Sequence, residues 1–196
     1  MTPMSTRNPV ILGIDPGLTG AIAFYYPDRP GGIVLHDIPV ADGEVDTDTL
    51  AGIIAALAPT VAIIERVGAM PGQGVSSTFK FGATYGALRA VISVLKIPQH
   101  LVTPAKWKAH FRLSKDKEEA RARALQLWPG AGYFARKRDH NRAEAALIAL
   151  YGDQVILNSN TTTRPHRGGG VATGGGVVAS AQPPITVQPG AGDPPV

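Results

Sequence analysis

The chain has no cysteine among its 196 residues. This excludes disulfides and thiolate metal sites. Together with an opening stretch, MTPMSTRNP, that lacks an apolar targeting core, it points to a cytoplasmic address. No window reaches the roughly 18 uninterrupted apolar residues of a membrane-spanning helix, so no membrane partner is expected. There is no internal repeat. What remains is 44% hydrophobic and 17% charged residues, the balance of a soluble globular protein long enough for one full-sized core and a tail.

The net charge of +4 is unevenly spread. Between Lys96 and Arg142 there are twelve bases and only four acids (Asp116, Glu118, Glu119 and Asp139), so the rest of the chain carries an excess of acids. A basic block beside an acidic remainder suits a polyanion partner held next to an acidic site, and a solvated charged helix is the plainer alternative. Because the bases recur over several segments, they read as a phosphate-backbone footprint.

Periodicity orders the rest. Strands are expected over Val10–Asp15, Gly20–Tyr26 and Gly31–Val40, the first two joined by the turn DPGLTG. A helix follows over Asp46–Ala58 with Thr47 or Asp48 as its cap, then a strand over Thr60–Glu65. After the glycine-containing loop RVGAMPGQGVSS come a long helix over Thr78–Leu95, a strand at QHLVTP, and a helix opened by Pro104 that carries Trp107. A basic helix capped by Ser114 and a last apolar helix, HNRAEAALIALYG, ended by Gly152, complete the pattern. This order implies an α/β fold whose sheet begins antiparallel and continues parallel through right-handed crossovers. Residues 1–9 are expected to be a short flexible terminus, 10–157 the folded domain and 158–196 a Gly/Pro-rich disordered tail with too little apolar surface to order itself.

Two strands end in a carboxylate, Asp15 and Glu65. Adjacent in one sheet, they would deliver both acids to one edge. A third acid, Glu144, interrupts the apolar face of the last helix, with His140 one turn before it, Asn141 three residues before and Asp139 five before. Each has a plainer reading: Asp15 as a turn residue, Glu65 paired with Arg66, Asp139 as a helix cap, His140 as a surface or core histidine. Taken together, converging carboxylates without enough bases repel one another, and divalent cations remove the conflict. Oxygen ligands suit Mg²⁺ or Mn²⁺, and two such ions roughly 3.5–4 Å apart activate a water and stabilise the leaving oxygen of a phosphodiester.

The segments GIDPGLTGAIA, AIIERV, FGATYGALRAVI and DHNRAEAALIALYG, in this order, resemble the RuvC-like Holliday-junction resolvases of the RNase H-like superfamily, over about Val10–Gly152. The resemblance implies a five-stranded mixed sheet flanked by helices. It further implies a homodimer acting on four-way DNA junctions with two Mg²⁺ (or Mn²⁺) ions per site, in a bacterial or phage-infected cell. Carried over by position, it implies that Asp15 bridges both ions, with Glu65 on one and Glu144 on the other. Where that pattern usually has a further acid this chain has Asn141, so Asp139 and His140 are the candidates for the fourth ligand. Lys106, Lys108, Lys115, Lys117, Arg121 and Arg123 would hold backbone phosphates, and Phe79 or Phe81 would supply the aromatic that opens the junction centre.

Three other readings compete. GIDPGLTGA also resembles the first phosphate loop of actin-like kinases, but those need a second such strand-turn and this chain has none, so no nucleotide cofactor is expected. A nuclease of the same fold acting on RNA or other branched DNA is a second alternative. A non-catalytic junction-binding protein, lacking its fourth ligand through Asn141, is the third.

Overall fold

The computed structural model describes residues 9–158, except 69–71 and 73. All of them belong to one compact unit, Met1–Arg164. The expectations for residues 1–8 and for the tail from 159 onward lie outside the described residues.

Five strands form the main sheet: β1 (Ile11–Asp15), β2 (Ala21–Tyr25), β3 (Ile33–Asp37), β6 (Val61–Glu65) and β7 (Gln99–Val102). Their order is β3-β2-β1-β6-β7; β2 is antiparallel to β1 and β3, while β1, β6 and β7 run parallel. The expected three-strand meander followed by parallel crossovers is thus present. An additional ribbon of β4 (Val40–Ala41) and β5 (Glu44–Val45) was not anticipated. The stretch expected as one strand over 31–40 breaks at Pro39, which has no N–H to offer a ladder. The ribbon turns on Asp42 and Gly43, both at positive φ (51° and 79°), as a tight two-residue hairpin demands.

Alternation along the strands sorts side chains into two cores. Leu12, Ile14, Ile22, Phe24, Ala62 and Ile64 face α1 (Thr47–Leu57) and α2 (Val75–Val94). Ile11, Ala21, Ala23, Ile33, Leu35, Val61 and Ile63 face α5 (His140–Tyr151), with α3 (Pro104–His110) and α4 (Lys117–Leu127) on the same side. Helix α5 is buried from Ala143 to Tyr151 and lies unusually close to β1. A Cβ on Gly13 would collide with the Ala145 carbonyl and the Ala149 backbone, so only glycine allows this approach.

Helix boundaries differ from expectation where tertiary contacts intervene. Asp46, not Thr47 or Asp48, caps α1, its side chain accepting from Thr49 N at 3.0 Å. Asp116, not Ser114, caps α4; Ser114 Oγ instead accepts from Asp116 N one turn outside. Helix α2 begins at Val75, three residues early, and α5 does not stop at Gly152 but runs on as a π-helical turn over Gly152–Leu157. Gly152 is there for close packing, since a Cβ would run into Ile63.

Candidate active site

The register Ile14↔Ile64 sets Asp15 and Glu65 beside one another at the carboxyl ends of two parallel strands. Both follow the parity of Ile11 and Ile63, so both point to the α5 side. From α5, Glu144 comes to the same place: each of Asp15 and Glu65 is close enough to Glu144 to be repelled by its charge. All three are buried, at 6–8% exposure.

Their surroundings differ. Among the described residues no hydrogen bond or ion pair reaches the Asp15 carboxylate. Burial, then Glu144 and Glu65, push it well above the usual carboxylate range against the opposing pull of Lys117 and Lys108. Glu65 is also raised, by burial first, while a hydrogen bond of 2.8 Å from Trp107 Nε1 to its Oε1 works the other way. Glu144 Oε1 accepts from Lys108 Nζ at 2.7 Å. Helix α3 thus places two neighbours, Trp107 and Lys108, on two different carboxylates.

Beside Asp15 lies a hollow of about 360 Å³, lined by the turn Pro16–Gly20, by Ser77, Lys80, Phe81 and Thr84 of α2, and by Lys117 and Asn141. Among its lining residues one acid, Asp15, stands with two bases, Lys80 and Lys117. Sequence reasoning gave no role to Lys80, Ser77 or Thr84, because the hollow forms only when the first turns of α2 stand over a loop some sixty residues earlier. Asn141 enters it directly. Its Nδ2 donates to the Thr19 carbonyl at 2.6 Å, and Lys117 Nζ approaches its Oδ1 at 3.4 Å.

The two fourth-ligand candidates, Asp139 and His140, have other partners in the structure. Asp139 sits in a short 3₁₀ turn, Lys137–Asp139, where Arg136 grips both its oxygens (2.8 Å from Nη2 to Oδ1, 2.8 Å from the backbone N to Oδ2). Burial alone would raise it, but Arg136 and then Arg142 hold it below the ordinary value. It has cations of its own and is not drawn to the cluster. His140 turns its Nδ1 to the Lys137 carbonyl at 3.1 Å and does not line the hollow. Asn141, three residues before Glu144, lines the hollow instead.

The basic residues divide as well. Lys106, Lys115 and Lys117 are exposed, and Lys108 reaches into the acidic cluster. Arg121 is not free for phosphate: its guanidinium bonds Glu118 Oε2 at 2.8 and 3.0 Å and the Phe134 carbonyl at 2.9 Å, tying α4 to the following loop. Arg123 bonds Gln126 at 3.2 Å and lines a separate hollow with His110 and Gln154, beyond the opposite end of α5 from Glu144. Phe79 and Phe81 belong to α2 rather than to the loop before it; Phe79 is 77% exposed, and Phe81 lines the hollow beside Asp15.

Among the described residues, no three His, Asp or Glu side chains stand grouped so as to hold an ion as they are. The donor chemistry nevertheless fits a hard divalent cation: three buried carboxylates, oxygen ligands only, one of them without a partner among the described residues.

A five-stranded mixed sheet in this order, flanked by helices on both faces, is the RNase H-like fold. Within it the chain has the fold of the RuvC-like resolvases. It is similar to the Thermus thermophilus RuvC structure (TM-score 0.55, 15% identity, covering 74% of this chain and 95% of that one). It is similar also to T. thermophilus RuvC in complex with Holliday junction substrate (TM-score 0.58, 15% identity, 74% and 94%). No protein-family model and no curated protein sequence matches the chain.

Proposed function

We propose that this protein is a divalent-metal-dependent endonuclease that cuts branched DNA, with the four-way junction as its substrate class. The observation that carries the reading is the Asp15 carboxylate: buried, without a hydrogen bond or ion pair among the described residues, facing a hollow, and repelled by two further carboxylates. The RuvC-like fold, and a similar protein solved with a Holliday junction, support the choice of substrate.

Asp15, Glu65 and Glu144, with the Asn141 amide oxygen beside them, are the groups that would hold Mg²⁺ or Mn²⁺. Bound there, such ions supply an activated water and charge stabilisation for the leaving oxygen. The chain's own residues do the rest. Lys117 and Lys80, at the rim of the hollow, draw the phosphate backbone toward Asp15 and position it without reading sequence. Asn141 anchors the turn that carries Asp15, and Lys108 holds Glu144 in place through its ammonium.

A homodimer suits two symmetric cuts. Val75, Phe79, Gly82, Gly86 and Ala90 share one exposed face of α2 and offer a surface for a second copy.

The test is a labelled synthetic four-way junction incubated with and without Mg²⁺, alongside flaps and structured RNA. Nicking of the junction that depends on the metal and is abolished in Asp15→Asn, with junction binding retained, is the expected result. Wild-type cleavage by Asp15→Asn would discard the mechanism. A second reading, a junction-binding protein without cleavage, draws on Lys108 already satisfying Glu144 and on Asn141 standing where an acid would; metal-dependent nicking excludes it.

A further inference from the structure

The two oxygens of Glu65 are treated differently by the fold. Oε1 accepts the indole N–H of Trp107 at 2.8 Å, in a buried contact between residues 42 apart in sequence. Oε2 has no hydrogen bond among the described residues. Trp107 is wholly buried within the core under α5, so its donor cannot swing aside. Lys108 Nζ sits 5.1 Å from the centre of its ring and pairs with Glu144.

An indole N–H donates one hydrogen bond, accepts none and carries no charge. It therefore occupies one lone pair of Glu65 while leaving its negative charge for a cation. A lysine or arginine at that point would neutralise the carboxylate, and an apolar residue would leave both oxygens free.

Building on the nuclease reading, we infer that Trp107 is a positioning residue that reserves Glu65 Oε2 for the metal and so favours Mg²⁺ and Mn²⁺ over Ca²⁺. Mg²⁺ requires near-octahedral coordination, keeps several waters and is served by one oxygen per carboxylate. Ca²⁺ gathers six to eight oxygens and draws on two-oxygen carboxylate binding to reach that number. A Glu65 whose Oε1 is already hydrogen-bonded is the weaker two-oxygen ligand, which disadvantages the larger ion.

The test is calorimetric titration of the full chain with Mg²⁺, Mn²⁺ and Ca²⁺, in the wild type and in Trp107→Phe, which keeps a buried ring and removes the N–H. The ratio of the Ca²⁺ to the Mg²⁺ dissociation constant is expected to move toward Ca²⁺ by about tenfold, the scale of one hydrogen bond to a charged group. Thermal unfolding without metal checks that the variant folds. If both ions bind and the ratio is unchanged, the assignment is overturned while the nuclease reading stands. Should Trp107→Phe fail to fold, the wild type decides by NMR, with Trp128 as internal reference: at saturating Mg²⁺ the Trp107 indole N–H resonance stays downfield and protected. Its release on Mg²⁺ binding overturns the assignment. A wild type that takes up none of the three ions and leaves a junction uncut sinks the nuclease reading and this assignment with it.

Discussion

Asn141 holds Thr19. Its amide donates to the Thr19 carbonyl at 2.6 Å across 122 residues of sequence, joining the first turn of α5 to the loop that carries Asp15. The contact locks together the two elements whose carboxylates must meet.

Asn141→Ala is expected to weaken the fold by about 0.5–1.5 kcal/mol, the scale of one hydrogen bond. It should lower the cleavage rate by more than that loss alone would suggest, since the Asp15 loop is released. Urea unfolding beside single-turnover cleavage measures both. An unchanged rate would show that the loop holds its place without Asn141.

The raised Asp15 and Glu65 carboxyls set the pH dependence of the metal-free protein. A carboxyl whose folded value lies above its unfolded value binds more protons in the folded state, so its contribution to stability is fully present below the ordinary carboxylate range. Stability then falls as pH climbs from the ordinary carboxylate range through the raised values. Asp15→Asn removes the larger part of this fall. Its melting temperature at neutral pH without divalent ions should exceed the wild type's; each kcal/mol gained moves the midpoint by about 2–4 °C in a domain of this size. Addition of Mg²⁺ should stabilise the wild type and not the variant.

Gly13→Ala tests the close seating of α5 on β1. The added methyl meets the Ala145 and Ala149 backbone, which is rigid helix, and overpacking of this kind costs about 1–3 kcal/mol or more. Because Glu144 rides on the same helix, divalent-ion affinity should fall together with stability. Full metal affinity in a destabilised Gly13→Ala would separate the two.

Lys117 and Arg121, four residues apart on one helix, should behave oppositely. Lys117→Ala should weaken junction binding across sequences and reduce the slope of log affinity against log salt by about one unit. Arg121→Ala loses the bonds to Glu118 and to the Phe134 carbonyl, so it should lower stability with the salt slope unchanged. Affinity measured over a salt series, with thermal melts, distinguishes them.

Much of this was legible in the chain. Strand order followed from alternation and from the DPGLTG turn. The pairing of Asp15 with Glu65 followed from two strands that each end in an acid, and Glu144 stood out as the single charge in an apolar helical stretch. The partners of Asp139 and Arg121 were not legible, because a carboxylate and a guanidinium look the same in sequence whether they face a ligand or each other. Asp139 is claimed by Arg136 three residues away, and Arg121 by a carbonyl thirteen residues on. The 31–40 stretch misled for a local reason, Pro39, that was visible and given too little weight.

What the residues alone determined was the five strands of the main sheet, the five α-helices and the identity of the three acids set in apolar runs, since apolar periodicity and an isolated charge in an apolar run are properties of the chain itself. Only the folded molecule decided how each acid is attended among the described residues: Asp15 by no hydrogen bond, Glu65 by a neutral N–H and Glu144 by an ammonium. Such choices depend on contacts of a few ångströms between segments far apart in sequence. They are settled when α5 sinks onto Gly13 and brings α3 with it.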